Sequence, residues 1–91
     1  MKLSVKIQHV IDYAYKVDFF KKPYYKVRID SMFDVNSKMY FQCKLIGLLS
    51  SQEEISFISA FGDSPYASVV ALHKLMKYEF GQIQKITHNH A

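Results

Sequence analysis

The sequence predicts an α+β domain: a two-layer sandwich in the order α-β-β-β-α, with both helices on one face of a three-stranded antiparallel sheet. Three observations support this fold class. Apolar residues recur every three or four positions near both ends of the chain, as they do on one face of a helix. Between them lie three stretches in which apolar and polar residues alternate, as in strands with one buried face. Short, turn-rich connectors join these stretches, which is typical of hairpins packed under helices.

The length and composition indicate one small domain. The chain has 91 residues, of which 49% are apolar, enough for a single core without metals or crosslinks. We expect one domain over residues 1–86 and a flexible polar tail over residues 87–91. Cys43 is the only cysteine, which excludes an internal disulfide and indicates a reducing, cytoplasmic setting. Because no signal-peptide pattern and no membrane-length apolar run is recognised, we expect no membrane partner.

The first helix is predicted over residues 3–17. Its apolar face is formed by Leu3, Ile7, Val10, Ile11, Ala14 and Val17. The opposite side is predicted to carry the basic stripe, which consists of Lys2, Lys6, His9, Tyr13 and Lys16. These positions follow one another at steps of three or four residues and are therefore neighbours on a helix. A strand over residues 1–7 is an open alternative, and Pro23 ends either element because it disfavours a helical residue before it.

Three strands are predicted over residues 24–30, 39–49 and 55–61. In the first two, the core side would be formed by Tyr25, Val27, Ile29, Met39, Phe41, Cys43 and Leu45. The opposite side mixes rings with cations, and its candidate interaction residues are Tyr24, Lys26, Arg28, Tyr40 and Lys44. Residues 34–37 and 50–54 are turn-rich and short enough to close hairpins.

The second helix is predicted to begin within the segment FGDSPY, residues 61–66. Ser64 is a good N-cap, and Pro65 suits the first helical position. The buried side would be formed by Val69, Leu72, Met76 and Phe80. Two ends are compatible with the pattern: Gly81 ends the helix, or the helix continues to Ile86.

The charge of the chain favours an anionic partner without requiring one. Twelve Lys and Arg against eight Asp and Glu give a formal net charge of +4. Rings stack on bases while cations contact phosphates, so the basic stripe and the ring-and-cation side of the sheet both suit RNA. A charge of this size equally serves solubility, and a solvated sheet commonly carries Tyr and Lys.

Motifs for catalysis or metal binding are weak. His88 and His90 have the spacing of a chelate, but no cysteine or carboxylate follows them. Cys43 lies mid-strand among inward-pointing apolar residues, which favours a small core residue over a nucleophile. Glycine-rich loops that would hold phosphates do not occur. We therefore expect no enzyme, no cofactor and no metal site.

The order of elements from Val5 to about Phe80 resembles the double-stranded-RNA-binding domain. The resemblance is carried by the first helix SVKIQHVIDYAYKV, by the strand opening Pro23-Tyr24-Tyr25, by MYFQCKLIG, and by an alanine-rich second helix. It implies a non-catalytic module that binds structured or double-stranded RNA, or the ribosome, through the first helix and the loop between strands one and two. The implied contact residues are the basic stripe together with Asn36, Ser37 and Lys38.

Two features of that family are missing. The loop lacks the Gly-Pro-x-His pattern, and residues 64–68 (SPYAS) stand where the family carries a lysine cluster at the start of the second helix. Asp63 would repel a phosphate at this helix end, and the lost cations lower the electrostatic part of RNA affinity. The alternative is therefore a protein-interaction module, either a homodimer or a small inhibitor of a partner protein, that uses the exposed sheet face or the edge of the third strand.

A second family shares part of this layout. Residues 54–80, EISFISAFGDSPYASVVALHKLMKYEF, are similar to the last strand and the second helix of ribosome hibernation factors. In that family an additional strand precedes the first helix, and here it would fall on residues 1–7. The interval before Tyr24 is short for both a strand and a full helix.

Overall fold

Five elements follow one another in the predicted order. They are α1 (Leu3–Val17), β1 (Tyr24–Phe33), β2 (Met39–Leu48), β3 (Glu54–Gly62) and α2 (Pro65–His90). The computed structural model describes the backbone of residues 1–50 and 54–90, and the side chains of residues 1–50 and 56–80. The strands form one antiparallel sheet with β2 between β1 and β3. The α+β fold class is confirmed, and α1 rules out the alternative strand over residues 1–7.

The core lies between the two helices and one face of the sheet, which we call the inner face. Its buried residues are Val10, Ala14, Tyr25, Cys43, Leu45, Val69, Leu72 and Met76. Strand β3 adds Ile58 and Ala60, which are partly buried against this cluster. Since α1 and α2 both contribute to the same cluster, both helices cover the inner face, and the other side of the sheet, the outer face, is left without a helical layer.

A left-handed turn ends α1 and directs the chain back to the core. Asp18 adopts a positive φ of 52°, and its backbone N–H donates to the carbonyl groups of Ala14 and Tyr15. The N–H of Phe19 also donates to the Ala14 carbonyl, at 3.1 Å. These bonds satisfy carbonyls that the helix end would otherwise leave without donors. Phe19 and Phe20 consequently pack against the core.

Asp34 closes the hairpin between β1 and β2. Its carboxylate accepts hydrogen bonds from the backbone N–H groups of Asn36, at 2.8 Å, and Lys38, at 2.9 Å. Ser37 takes a positive φ of 63°, which completes the reversal. The pairing of Phe33 with Met39 then fixes the register of the two strands. The predicted turn at residues 34–37 is confirmed.

The start of α2 agrees with the sequence signal. The hydroxyl of Ser64 accepts a hydrogen bond from the N–H of Ala67 at 3.0 Å, so Ser64 is the N-cap and Pro65 occupies the first helical position. The helix continues to His90, so Gly81 does not end it. These bounds include residues 87–90, and the division into a domain and a flexible tail over 87–91 stays a prediction.

Candidate binding surfaces

The strand register places all five predicted sheet-face residues on the outer face. Arg28 lies directly opposite Lys44, and Lys26 lies opposite Ile46. Tyr24 and Tyr40 follow at the two ends of the same row, where they pair with Leu48 and Met32. Because side chains alternate along a strand, residues that pair across the sheet point to the same side. The alternation in the sequence is sufficient to predict this grouping.

Strand β3 contributes two further rings that the sequence analysis did not include. Phe57 pairs with Ile46 and Phe61 pairs with Gln42, so both belong to the outer face. Their side chains are 61% and 54% exposed, respectively. The alternation over residues 55–61 shows that Phe57 and Phe61 share one side of the strand, but apolar residues occur on both sides of this strand. The pattern alone therefore does not show which set faces the core.

Short-range contacts organise the exposed part of the outer face. The ammonium nitrogen of Lys44 lies 4.7 Å from the centroid of the Phe57 ring, a cation–π geometry. The rings of Tyr40 and Phe61 are 5.8 Å apart. The Arg28 guanidinium bonds the Asp30 carboxylate, with Nε and Oδ2 separated by 3.2 Å. These contacts accommodate two like charges, Arg28 and Lys44, that lie directly opposite each other.

The outer face is not uniformly solvated. Ile46 and Leu48 belong to it by register, yet they are only 1% and 3% exposed. The prediction that the strands have only one buried face is therefore wrong at this end of β2. The accessible rings are Tyr24, which is 51% exposed, and the two phenylalanines of β3.

The basic stripe lies on a flank of α1, not on the side opposite the core. The Lys6 ammonium donates to Nδ1 of His73 on α2 at 3.1 Å, and the Tyr13 ring meets the His73 ring edge-on at 5.3 Å between centroids. Lys6 and Tyr13 are half-buried, whereas Lys2, His9 and Lys16 are exposed. Each stripe position precedes an apolar position by one residue, and one residue turns a helix by about 100°. The stripe is therefore rotated by only about 100° from the apolar face, which brings it to the border with α2. The prediction that it lies on the side opposite the core is wrong.

His73 is the residue at this border that sequence reasoning missed. Burial is the main cause that lowers the pKa of His73 to about 4. Electrostatic interactions with Lys77, Lys6 and His9 lower the pKa further. Within the described side chains, the Nε2 atom of His73 is buried and has no hydrogen-bond partner. No spacing in the sequence links His73 to Lys6, because their contact joins two helices.

The loop residues Asn36, Ser37 and Lys38 are exposed at the tip of the β1–β2 hairpin. They lie on the β1–β2 hairpin, whereas the basic stripe lies on α1. The Asp34 carboxylate accepts hydrogen bonds from the backbone N–H groups of Asn36 and Lys38. An acidic group at this position opposes contact with a phosphate. Their role in RNA binding stays a prediction.

Cys43 and the histidines show little that favours catalysis. Burial raises the pKa of the Cys43 thiol to about 12, so it is protonated and unreactive at neutral pH. In the part of the chain that the structure describes, no three His, Cys, Asp or Glu side chains come together as a metal site would require. The side chains of His88 and His90 lie outside the described residues. Among the described helices, none is long and apolar enough to cross a membrane.

An apolar cavity lies between β3, α2 and the segment that follows α1. It has a volume of about 350 Å³ and is lined by Phe19, Phe20, Phe57, Ile58 and Glu79. Phe57 therefore belongs both to the outer face and to the rim of this cavity. The cavity can receive an apolar side chain from another molecule.

Comparison of the chain with protein-family models, with curated proteins and with solved structures found no match. The arrangement of elements is compatible with the double-stranded-RNA-binding fold.

Proposed function

We propose that the protein is a non-catalytic RNA-binding module that holds unpaired segments of structured RNA, including ribosomal RNA, on the outer face of its sheet. The observation that carries the proposal is the row of exposed rings and cations on one face. The rings are those of Tyr24, Phe57 and Phe61, and the cations are Lys26, Arg28 and Lys44.

Single-stranded RNA is recognised by rings that stack on bases and by cations that contact the backbone. Phe57 and Phe61 are four residues apart on one strand, which separates them by about 13 Å at the strand rise of roughly 3.3 Å per residue. They can therefore contact different bases of one segment. Lys44 lies over one face of the Phe57 ring, so a base stacked on the other face would have a cation close to its phosphate.

The surfaces that the family resemblance implies for duplex RNA support this target less well. Lys6 and Tyr13 are engaged with His73. The β1–β2 loop is closed by an acidic residue, Asp34. Ser64, not a lysine, caps the start of α2. Binding of duplex RNA through the basic stripe and the loop is thus the weaker version of the RNA hypothesis.

Ring truncation tests the proposal directly. Removal of a stacking ring costs about 1 to 3 kcal/mol per base, so Phe57→Ala should weaken binding of a single-stranded oligonucleotide between roughly 5-fold and 150-fold. Tyr78→Ala is the matched control, because Tyr78 lies on α2 and is also 61% exposed. Fluorescence anisotropy at two salt concentrations would measure both variants, with a duplex of about 16 base pairs as the competing target.

The proposal fails if the oligonucleotide does not bind at low salt, or if Tyr78→Ala weakens binding as much as Phe57→Ala does. Preference for the duplex, together with loss of binding in Lys16→Ala, would transfer the RNA contact to the basic stripe.

One observation favours a second candidate, protein interaction. Among the described strands β3 pairs only with β2, so one of its edges is unpaired, and the exposed ring of Phe57 on this strand lines the apolar cavity. Sheet edges and apolar pockets commonly bind a strand or a side chain of another chain. Light scattering of the protein at high concentration would test self-association: a dimer that Phe57→Ala converts to a monomer supports it, and a monomer at all concentrations excludes it.

A further inference from the structure

A second cluster of functional groups lies on the helical layer, away from the outer face. We call it the helix seam, and its members are Lys6, His9 and Tyr13 on α1 with His73 and Lys77 on α2. Lys6 and Tyr13 contact His73 directly. His9 lies between them on the same stripe of α1, and Lys77 follows His73 by one turn of α2. The described outer face and its rings take no part in it, so an inference from the seam does not rest on the proposed function.

The hydrogen bond between Lys6 and His73 fixes the tautomer of the imidazole. An ammonium group has donors only, so the Nδ1 atom of His73 must be the acceptor of this 3.1 Å bond. The ring proton of the neutral imidazole is then on Nε2. That atom is buried and, among the described side chains, has no hydrogen-bond partner. The seam therefore contains an unsatisfied donor, which is unfavourable in a buried position.

The charges of the seam have one sign. Each group that acts electrostatically on His73 is basic, and these groups are Lys77, Lys6 and His9. Asp12, the carboxylate on the neighbouring turn of α1, accepts a hydrogen bond from Gln8 at 2.9 Å and is exposed. Like charges at a half-buried border repel one another, and an anion bound between them would offset this repulsion.

We propose that the helix seam binds a phosphate group, with Lys6 and Lys77 as its cationic contacts and the imidazole of His9 as a further hydrogen-bonding group. Several oxygens on one small anion match several convergent N–H donors, and such charge-assisted bonds are the strong ones. Lys6 keeps two further N–H groups after its bond to His73. A phosphate ester in solution and the backbone of a nucleic acid present the same chemical group to this site.

Titration with inorganic phosphate at constant ionic strength tests the site. The ring proton signals of His9 and His73 should shift and saturate, and Lys77→Ala should weaken the affinity at least about tenfold through loss of a charge-assisted contact. Lys74→Ala is the matched control, since Lys74 is an exposed lysine of α2 that does not act on His73. It should change the affinity less than about twofold, because Lys74 is one residue from His73 and therefore points about 100° away from it around α2, whereas Lys77 is one helical turn from His73.

Shifts that do not saturate, or equal losses in Lys77→Ala and Lys74→Ala, would overturn the proposal. Lys77 is exposed, so its truncation leaves the fold intact, and an unchanged circular dichroism spectrum verifies this. Lys6→Met provides a second variant that keeps the apolar stem of the side chain while it removes the charge. It should abolish the saturable shift, and persistence of the full shift would also overturn the proposal.

A single-stranded oligonucleotide identifies the source of the phosphate. If it shifts the same histidine signals and inorganic phosphate displaces it, the seam holds a nucleic-acid backbone. If only inorganic phosphate shifts them, the site takes small phosphate compounds. Both results support phosphate binding by the seam. The Phe57→Ala variant tests the seam independently of the outer face, because it should leave the phosphate affinity of the seam unchanged.

Discussion

Substitution of Gly62 by alanine should destabilise the fold where β3 enters α2. A Cβ atom at Gly62 would lie 2.5 Å from the backbone nitrogen of Ser68 and 2.7 Å from the carbonyl carbon of Ala67. Both obstructing atoms are backbone of the first turn of α2, so no side-chain rotation relieves the overlap. Overpacking of this kind costs about 1 to 3 kcal/mol. For a domain of this size, that cost lowers the Tm by between roughly 4 and 24 °C.

Gly47→Ala is the matched control for this prediction. Its Cβ would meet the ring carbon Cδ2 of Phe20 at 2.8 Å and Cγ of Lys22 at 3.0 Å, which are side-chain atoms and can adjust more easily than the backbone that Gly62 approaches. Thermal denaturation followed by circular dichroism should therefore show a smaller decrease for Gly47→Ala than for Gly62→Ala. An unchanged Tm in Gly62→Ala, or a larger loss in Gly47→Ala, would show that the close approach of β3 and α2 is wrong.

Three further predictions concern His73, Ser64 and Cys43. Because the pKa of His73 falls from 6.5 to about 4, the folded state binds fewer protons than the unfolded state between these values, and stability present above pH 6.5 should decrease as the pH falls toward 4. Denaturant titrations across this pH range should show that the free energy of unfolding depends less on pH in His73→Phe than in the unchanged protein. If the two depend on pH equally, His73 is not the cause. Ser64→Ala removes the cap on the Ala67 N–H and should cost about 1 kcal/mol in urea denaturation, whereas Ser64→Asp should retain most of the stability. Alkylation of native protein should be slow at Cys43, which is buried with a pKa near 12, and rapid labelling of folded protein would contradict that burial.

The sequence was sufficient to predict the order of elements and most of their bounds. Each element has a local signal: the apolar period of α1, the alternation in the strands, and the cap at Ser64. The grouping of Arg28 and Lys44 on one face was also predictable, because alternation fixes which residues of a strand share a side. Hairpins with short connectors then leave few alternatives for the topology.

Two parts of the candidate surfaces were not predictable in this way. Phe57 and Phe61 face outward, although they are as apolar as Ile58 on the inner side. Lys6, by contrast, is polar and yet contacts His73 on the other helix. Polarity alone would predict that the two phenylalanines are buried and that Lys6 is exposed to solvent. The partner elements decide the environment of each residue, and contacts between distant residues leave no periodic signal.

The sequence by itself determined which residues share a side of each helix and strand, because the helical and extended backbones have fixed periods of 3.6 and 2 residues. Only the tertiary structure decided what each side meets. The flank of α1 became a seam because α2 packs beside it, and the rings of β3 became part of the outer face because Ile58 and Ala60 occupy the core. The physical reason is that packing depends on the shapes and positions of several elements at once, whereas a period describes one element alone.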